Sequence, residues 1–351
     1  MNSIALLWLS YWLLIGLMKK ITLILLFLLW QSACRNNTDT IAPDVNNFRA
    51  DSDLLDLVQK QTFNYFWDGA ETVSGMARER YHEDNVYGAH NKDIITTGGS
   101  GFGLMAMIIA VDRGFIERSQ ALDRLDRILG FLEKADRFHG AWPHWLNQDG
   151  TVYPFSEKDD GGDIVETAFL AQGLLAFKQY LDPDKPQESA LIDRIQALWE
   201  GIEWNWYTRD QDVLYWHWSP NYGWEMNFPI GGYNEALIVY VLAAASPTYP
   251  VSRSVYENGW ARSGAISEGV EYYGLNTELD HYEYDDAPVG PLFWAHYSYL
   301  GLNPKGLTDS FADYWLLKEN HARIHNRYCV DNPEEYKGYG ENMWGLTSSY
   351  S

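Results

Sequence analysis

Gly161-Gly162-Asp163-Ile164-Val165-Glu166-Thr167-Ala168-Phe169-Leu170 decides the fold of this chain. Two glycines and two acids open a helix, and the run through 163–180 is apolar nearly all round, so that helix is buried. The same grammar recurs. Helices that are apolar on every side and opened by glycine are expected at 98–113, 231–245 and 289–300, with a further start at Gly340. Between them lie amphipathic stretches at 119–137, 187–206 and 309–327, and a helix capped by Asp51 or Ser52 running to Trp67. Buried and half-exposed helices in alternation predict an all-α fold, an α/α toroid in which the inner helices run parallel and gather their N-terminal ends on one face. Strand is expected only in hairpins such as 139–155. The inner starts visible here are too few for a closed ring of six helix pairs, so the toroid reads as incomplete at its C-terminus.

Composition narrows the function. The 351 residues carry 26 Lys+Arg against 48 Asp+Glu, a net charge of −22, which speaks against nucleic acid. Aromatic residues make up 15% of the chain, and many stand among Gly, Asn, His and acids, as in Ala141-Trp142-Pro143-His144-Trp145. Rings beside polar groups suit a pyranose, which stacks its C–H face and hydrogen-bonds its edge.

The N-terminus reads as an export signal. From Met18, two lysines precede the apolar stretch 21–30, and Gln31-Ser32-Ala33-Cys34 resembles a lipoprotein box with Cys34 as the lipidated residue. Residues 1–17 are expected to precede the true start. Neither apolar run reaches the roughly 18–20 residues that span a bilayer. The organisation expected is therefore 1–34 signal, 35–50 polar tether and 51–351 one toroid domain, exported to the periplasm or cell surface and held to the membrane by lipid. Cys329 then has no partner for a disulfide.

The acids at the inner helix starts carry the chemistry. Asp159, Asp160, Asp163 and Glu166 crowd ahead of one helix, and Tyr233-Asn234-Glu235 stands ahead of the next. Glycoside hydrolysis needs one protonated carboxyl for the leaving oxygen and a second carboxylate as base or nucleophile. Taken singly, each acid is better explained by capping than by catalysis: Asp163-x-x-Glu166 fits a capping box, and first-turn acids favour any helix dipole. Four acids in eight residues exceed what one cap needs, and Gly161-Gly162 costs backbone entropy unless something approaches closely. Trp142, Trp145, Tyr153, Phe155, Trp216, Trp218 and Trp224 are candidates to wall a cleft. A dinucleotide-like Gly101-Phe102-Gly103 is rejected because an amphipathic helix, not a strand, follows it. His321 and His325 have the spacing of a metal pair but are read as solvated surface, and no metal or cofactor is expected. The acidic run 282–286 is read as cleft rim or solvated loop.

At 97–107, 161–170, Tyr233-Asn234-Glu235, 290–298 and 338–347 the chain resembles the glycoamylase-like domain of glycoside hydrolase family 144. The resemblance covers 51–351. It implies an (α/α)6 fold and inverting hydrolysis of β-1,2-glucan by a monomer. It places the family's acidic site on Asp159, Asp163, Glu166 and Glu235, with Arg78, Trp142, His144, Trp145, Tyr233, Asn234 and Glu341 as sugar-binding candidates. Met343 stands where the family commonly has Cys, and is expected in a buried setting. The rival reading from another class is a non-catalytic glycan-binding lipoprotein, and a third is hydrolysis of another glucan linkage.

Overall fold

The computed structural model describes residues 51–87, 92–277 and 290–348. The signal, Cys34, the tether and the 282–286 run lie outside the described residues. The chain divides into two compact units, Met1–Asp56 and Leu57–Ser351, and the described part is almost all in the second. Among the described residues no helix is long and apolar enough to cross a membrane.

Among the described residues seven α-helices of nine residues or more carry the fold: α1 (Asp51–Trp67), α2 (Thr97–Asp112), α3 (Arg118–Leu132), α4 (Ile164–Tyr180), α5 (Pro186–Glu200), α6 (Leu237–Ala245) and α7 (Tyr314–Asp331). The two helix types separate as their patterns require. In α3 the buried residues Ala121, Leu122, Leu125, Ile128, Leu129 and Leu132 form one stripe, whereas α4 is buried over most of its circumference. Helices α2, α4 and α6 pack side by side as an inner layer, with α3 and α5 outside them. This is the expected α/α layering.

The glycines of α2 and α4 explain how closely the inner helices approach. A Cβ on Gly101 would stand 2.0 Å from the Phe169 carbonyl oxygen, and one on Gly173 would stand 2.2 Å from the Gly101 oxygen. Backbone meets backbone there, and any side chain would wedge the layer apart. It also confirms that Gly101 belongs to a helix-packing surface and not to a phosphate loop.

Several expected boundaries move. Helix α3 stops at Leu132 and α5 at Glu200, each several residues before the apolar pattern ends. Helix α6 begins only at Leu237, because Gly232 takes a left-handed φ of 76° and the Asn234 side chain accepts the Ala236 N–H. That turn leaves Glu235 on the threshold of the helix. The expected helix at 289–300 is instead two short 3-10 segments, Leu292–Ala295 and Tyr297–Leu300, broken at His296, whose φ of −126° is not helical. No helix starts at Gly340 among the described residues; Gly340 and Met343 close a tight turn, and Met343 is exposed rather than buried. Helix α7 starts at Tyr314, where the Asp313 carboxylate caps the Trp315 and Leu316 N–H groups.

Strands are two residues each. β1 (Ile95–Thr96), β2 (Trp145–Leu146) and β3 (Val152–Tyr153) form an antiparallel sheet in the order β1-β2-β3, the last pair being the expected hairpin. β4 (Gly162–Asp163) pairs antiparallel with β5 (His217–Trp218), in the register Gly162 to Trp218 and Asp163 to His217. β6 (Glu271–Tyr272) and β7 (Leu275–Asn276) make a separate hairpin.

Candidate active site

The β4–β5 pair is what builds the site. It lays His217 beside Asp163 at the start of α4, and it answers why Gly161 and Gly162 are glycine. A Cβ on Gly161 would meet the Trp218 carbonyl oxygen at 2.2 Å, and one on Gly162 would meet the Tyr207 hydroxyl at 2.0 Å. The close approach anticipated at these glycines is therefore made by the protein itself, by Trp218 of β5 at Gly161 and by the Tyr207 hydroxyl at Gly162.

Asp163 is fully buried and its two oxygens are saturated. Oδ1 accepts the Val165 and Glu166 N–H groups at 2.9 and 3.0 Å, which caps α4. Oδ2 lies 2.8 Å from His144 Nδ1 and accepts the Trp216 Nε1–H at 3.3 Å. Half of the capping-box reading holds, because Asp163 is the cap. The other half fails: Glu166 accepts the Gly98 N–H at the start of α2 at 2.9 Å, across the inner layer. The inner helix starts thus converge.

Two histidines lie among these acids. His144 Nδ1 is 3.9 Å from Asp159 Oδ2, and its Nε2 is 4.0 Å from Glu166 Oε1. His217 Nδ1 stands 3.3 Å from Asp159 Oδ1 and 3.7 Å from Asp163 Oδ2. Burial alone would lower the His144 pKa, but the Glu166 charge, the Asp163 hydrogen bond and the Asp159 charge overcome it and raise it to about 9. Burial works against the charge on Asp163 too, yet the His144 hydrogen bond, both histidines and its capped N–H groups pull its pKa below the ordinary value. Glu166 goes the other way, raised to about 7 by burial, with the Asp163 and Asp159 charges adding to it. Atoms of His144, Asp159 and Asp163 fall within 4.8 Å of one another, close enough to hold a cation. His144 Nδ1–H donates to Asp163 Oδ2 at 2.8 Å, so that nitrogen is engaged in the pair. His144 and Asp163 pair directly, and Asp159 stands 3.9 Å from the same imidazole nitrogen.

Glu235 faces the same region from the start of α6. With Trp216, Tyr233, Asn234 and Phe293 it lines a cavity of about 230 Å³. Burial raises its pKa to about 7, and the Glu166 and Asp163 charges add to the rise. Its main-chain carbonyl accepts the Ser298 hydroxyl, which ties the α6 threshold to the second 3-10 segment. Trp216 is shared between this cavity and Asp163, so the cavity opens beside the acid cluster. Tyr297 packs on Phe293 of the cavity wall with ring centres 5.0 Å apart, and burial raises its pKa, with the Glu166 and Glu235 charges adding to the rise.

The remaining candidates scatter. Trp145 is buried edge-on to His144 and Phe155, and Phe155 stacks on His144 with ring centres 4.1 Å apart. Tyr233 is nearly buried and its hydroxyl is 2.8 Å from His321 Nδ1. Trp142 must be corrected: it is 0% exposed, its Nε1–H donates to the Leu132 carbonyl at 3.3 Å, and Arg137 covers its ring. It belongs to the core. Arg78 is bound to its own protein, pairing with Asp93 at 2.9 Å and donating to the Gly69 and Ala70 carbonyls. Glu341 lies exposed in the 340–343 turn and is not among the residues lining the cavity. His321 and His325 are also corrected. Both are buried, with Nε2 atoms 2.8 and 2.9 Å from the Gly290 carbonyl oxygen, and they clamp that segment rather than meet solvent. His217 and Tyr297 are site residues that sequence reading passed over. Alternation in the string Trp216-His217-Trp218 was the available signal for His217.

Comparisons with known proteins agree with this architecture. The Glycoamylase family model, described as "Putative glucoamylase", matches residues 227–351. An endo-β-1,2-glucanase from Chitinophaga pinensis, solved with sophorotriose and glucose, is 55% identical with a TM-score of 0.83, over 86% of this chain and 72% of that one. A β-1,2-glucanase from Parabacteroides distasonis superposes with a TM-score of 0.77 at 41% identity, over 86% of this chain and 44% of that one. An exo β-1,2-glucooligosaccharide sophorohydrolase (non-reducing end) from the same species is 43% identical over 317 residues. That match takes in 85% of this chain and 43% of the relative, so the chain spans less than half the length of that curated protein. The chain belongs to the glycoamylase-like family of glycoside hydrolases, of the family 144 type.

Proposed function

We propose that this chain hydrolyses β-1,2-linked glucan by inversion, with Glu235 as the general acid. The observation that carries this is the divergence of two neighbouring carboxyls. Glu235, in the cavity wall, is raised to about 7 and holds a proton near neutrality, while Asp163 is held below its usual value and stays anionic. An environment that pushes paired carboxyls apart is how one site supplies acid and base together. Asp163 already accepts four hydrogen bonds, so its work is to orient His144 and the start of α4. Glu166, raised to about 7 like Glu235, holds a proton over the same range, which leaves Asp159, buried between His144 and His217, to take the proton from the attacking water. The relatives' names for their substrates, β-1,2-glucan and its oligosaccharides, support the linkage.

The test is release of sophoro-oligosaccharides from linear β-1,2-glucan. Glu235→Gln should keep substrate binding and lose about 100-fold or more in kcat. Wild-type turnover in that variant would refute the acid assignment. Product from another glucan and none from the β-1,2 polymer would refute the linkage.

Export and lipid anchoring at Cys34 belong to the same proposal, supported by the basic–apolar–small–Cys order of residues 18–34. Metabolic labelling with a fatty acid should mark the wild-type protein and not Cys34→Ala.

A further inference from the structure

We propose that the groove between Trp206 and Trp224 is a second, non-catalytic site that holds a neutral glucan chain. The class of ligand rests on the reading of the cleft given above; the site itself rests on separate geometry. Strand β5 alternates, so His217 faces Asp159 and Asp163 while Trp218 turns to the other side. There Trp218 meets His139 edge-on at 5.2 Å and Trp206 at 6.5 Å, and Trp224 follows at 6.4 Å from Trp206. Trp218 and Trp224, expected as walls of the catalytic cleft, therefore belong to a different surface. Trp206 rests one face on His139, with ring centres 3.7 Å apart, yet stays 39% exposed. Its near neighbour Trp204 is completely buried, so room in the core is not what keeps Trp206 outside.

Trp206, Trp224 and Tyr249 line a groove of about 490 Å³ together with Glu203, Asn205 and Asp210. The groove continues past Asn205 and Asp210 into a second one of about 560 Å³, flanked by Gln211 and Ser252. Indole rings with carboxylate and amide groups beside them are the complement of a pyranose, which offers C–H faces and hydroxyl donors. Arg209 also lines the groove, but with one guanidinium nitrogen donating to Asn227 at 2.7 Å and Glu203 and Asp210 beside it, the lining carries more negative than positive charge, in a chain of net charge −22, which disfavours an anionic ligand. A neutral polyol meets no such obstacle.

The backbone gives an independent sign. His139, Arg209, Asp210 and Asn227 all take left-handed φ, at 50°, 55°, 57° and 45°. The conformation costs on the order of 1 kcal/mol in His139 and Arg209, and less in Asp210 and Asn227, whose short polar side chains tolerate it. They surround this one aromatic group: His139 stacks on Trp206, and Arg209 covers Trp224 at 5.4 Å while bonding Asn227. The left-handed turns at His139 and Arg209 hold those side chains against Trp206 and Trp224.

Affinity electrophoresis in gels with and without linear β-1,2-glucan tests the proposal, run in a Glu235→Gln background so that the polymer survives. Trp206→Ala should weaken retardation by about fivefold and Trp206→Phe should restore most of it, since an aromatic face is what is lost. In the otherwise wild-type chain, Trp206→Ala should raise KM for the polymer by about fivefold and leave turnover of a four-glucose oligosaccharide within about twofold. Unchanged retardation and unchanged polymer KM in a Trp206→Ala protein of normal melting temperature would overturn the site. Should the chain fail to cleave β-1,2-glucan, the cleft reading falls, and the same gels are run with other neutral glucans. Retardation by one of them that Trp206→Ala abolishes upholds the groove. Retardation by none overturns it.

Discussion

Glu166 turns its carboxylate away from the helix it begins and onto Gly98, whose N–H it accepts at 2.9 Å. One bond thereby joins the starts of two inner helices and fixes a carboxyl beside His144. It also dictates glycine at 98, since a Cβ there would lie 2.4 Å from Glu166 Oε2 and 3.0 Å from the Phe169 ring.

Gly98→Ala should displace the Glu166 carboxylate, which can swing, and so cost activity more than stability. A fall of about tenfold in kcat is expected, with a modest drop in melting temperature. Gly101→Ala is the contrast, because its Cβ would strike the Phe169 carbonyl at 2.0 Å and backbone cannot swing aside. Urea unfolding should show a loss of about 3 kcal/mol for that variant.

The rate should fall as pH rises through about 7, where Glu235 gives up the proton that a general acid must hold. Asp163, lowered, stays ionised well into the acid range. A pH profile of kcat/KM on β-1,2-glucan checks this, and an alkaline limb set several units higher would contradict it.

Stability should follow the same carboxyls with a defined sign. Glu166 and Glu235 are raised from 4.5 to about 7, so the folded chain keeps protons that the unfolded chain has already released in that window. Stability therefore declines as pH climbs from 4.5 to 7. Glu235→Gln should be more stable than wild type at pH 8 by about 2 kcal/mol, and the gain should vanish near pH 4, as read by urea denaturation.

His144 has the opposite sense. Its pKa is raised from 6.5 to about 9, so its charge stabilises the fold fully below pH 6.5 and the contribution is lost as pH rises through 9. His144→Gln should be destabilised most in mildly acidic buffer and approach wild type in strongly alkaline buffer. A pH-independent difference would mean that packing against Phe155, not charge, is what the ring supplies.

Trp142→Phe should lower melting temperature, since it gives up the Leu132 bond and much of the Arg137 stacking, and should leave KM for glucan unchanged. A raised KM would return Trp142 to the binding surface.

Helix type was readable from pattern alone. All-round apolarity in 163–180 and an apolar stripe in 119–137 record whether a helix has neighbours on every side or water on one, and that is local information. The acids were readable because the start of α4 carries four acids in eight residues, more than capping needs, and Glu235 stands at the next inner helix start. Trp142 misled for a plain reason. Ala141-Trp142-Pro143-His144-Trp145 places rings beside a histidine in the chain, but whether a ring faces a cleft or the underside of α3 depends on Leu132 and Arg137, which arrive from elsewhere. His321 and His325 misled likewise, because the Gly290 carbonyl and Tyr233 reach them from distant segments.

Residue pattern was thus sufficient for the inner and outer helices from α2 to α6 and for singling out the acids at two helix starts, though not for the 3-10 segments at 292–300 or the turn at 340–343, since burial periodicity and charge density are properties of short stretches. Which carboxyl holds a proton, that Glu166 bonds Gly98, that His217 stands among the acids while Trp218 looks away, were decided only by the fold. Those facts arise from distances between segments far apart in the chain, and pKa follows burial and neighbouring charge in space, which no local spacing encodes.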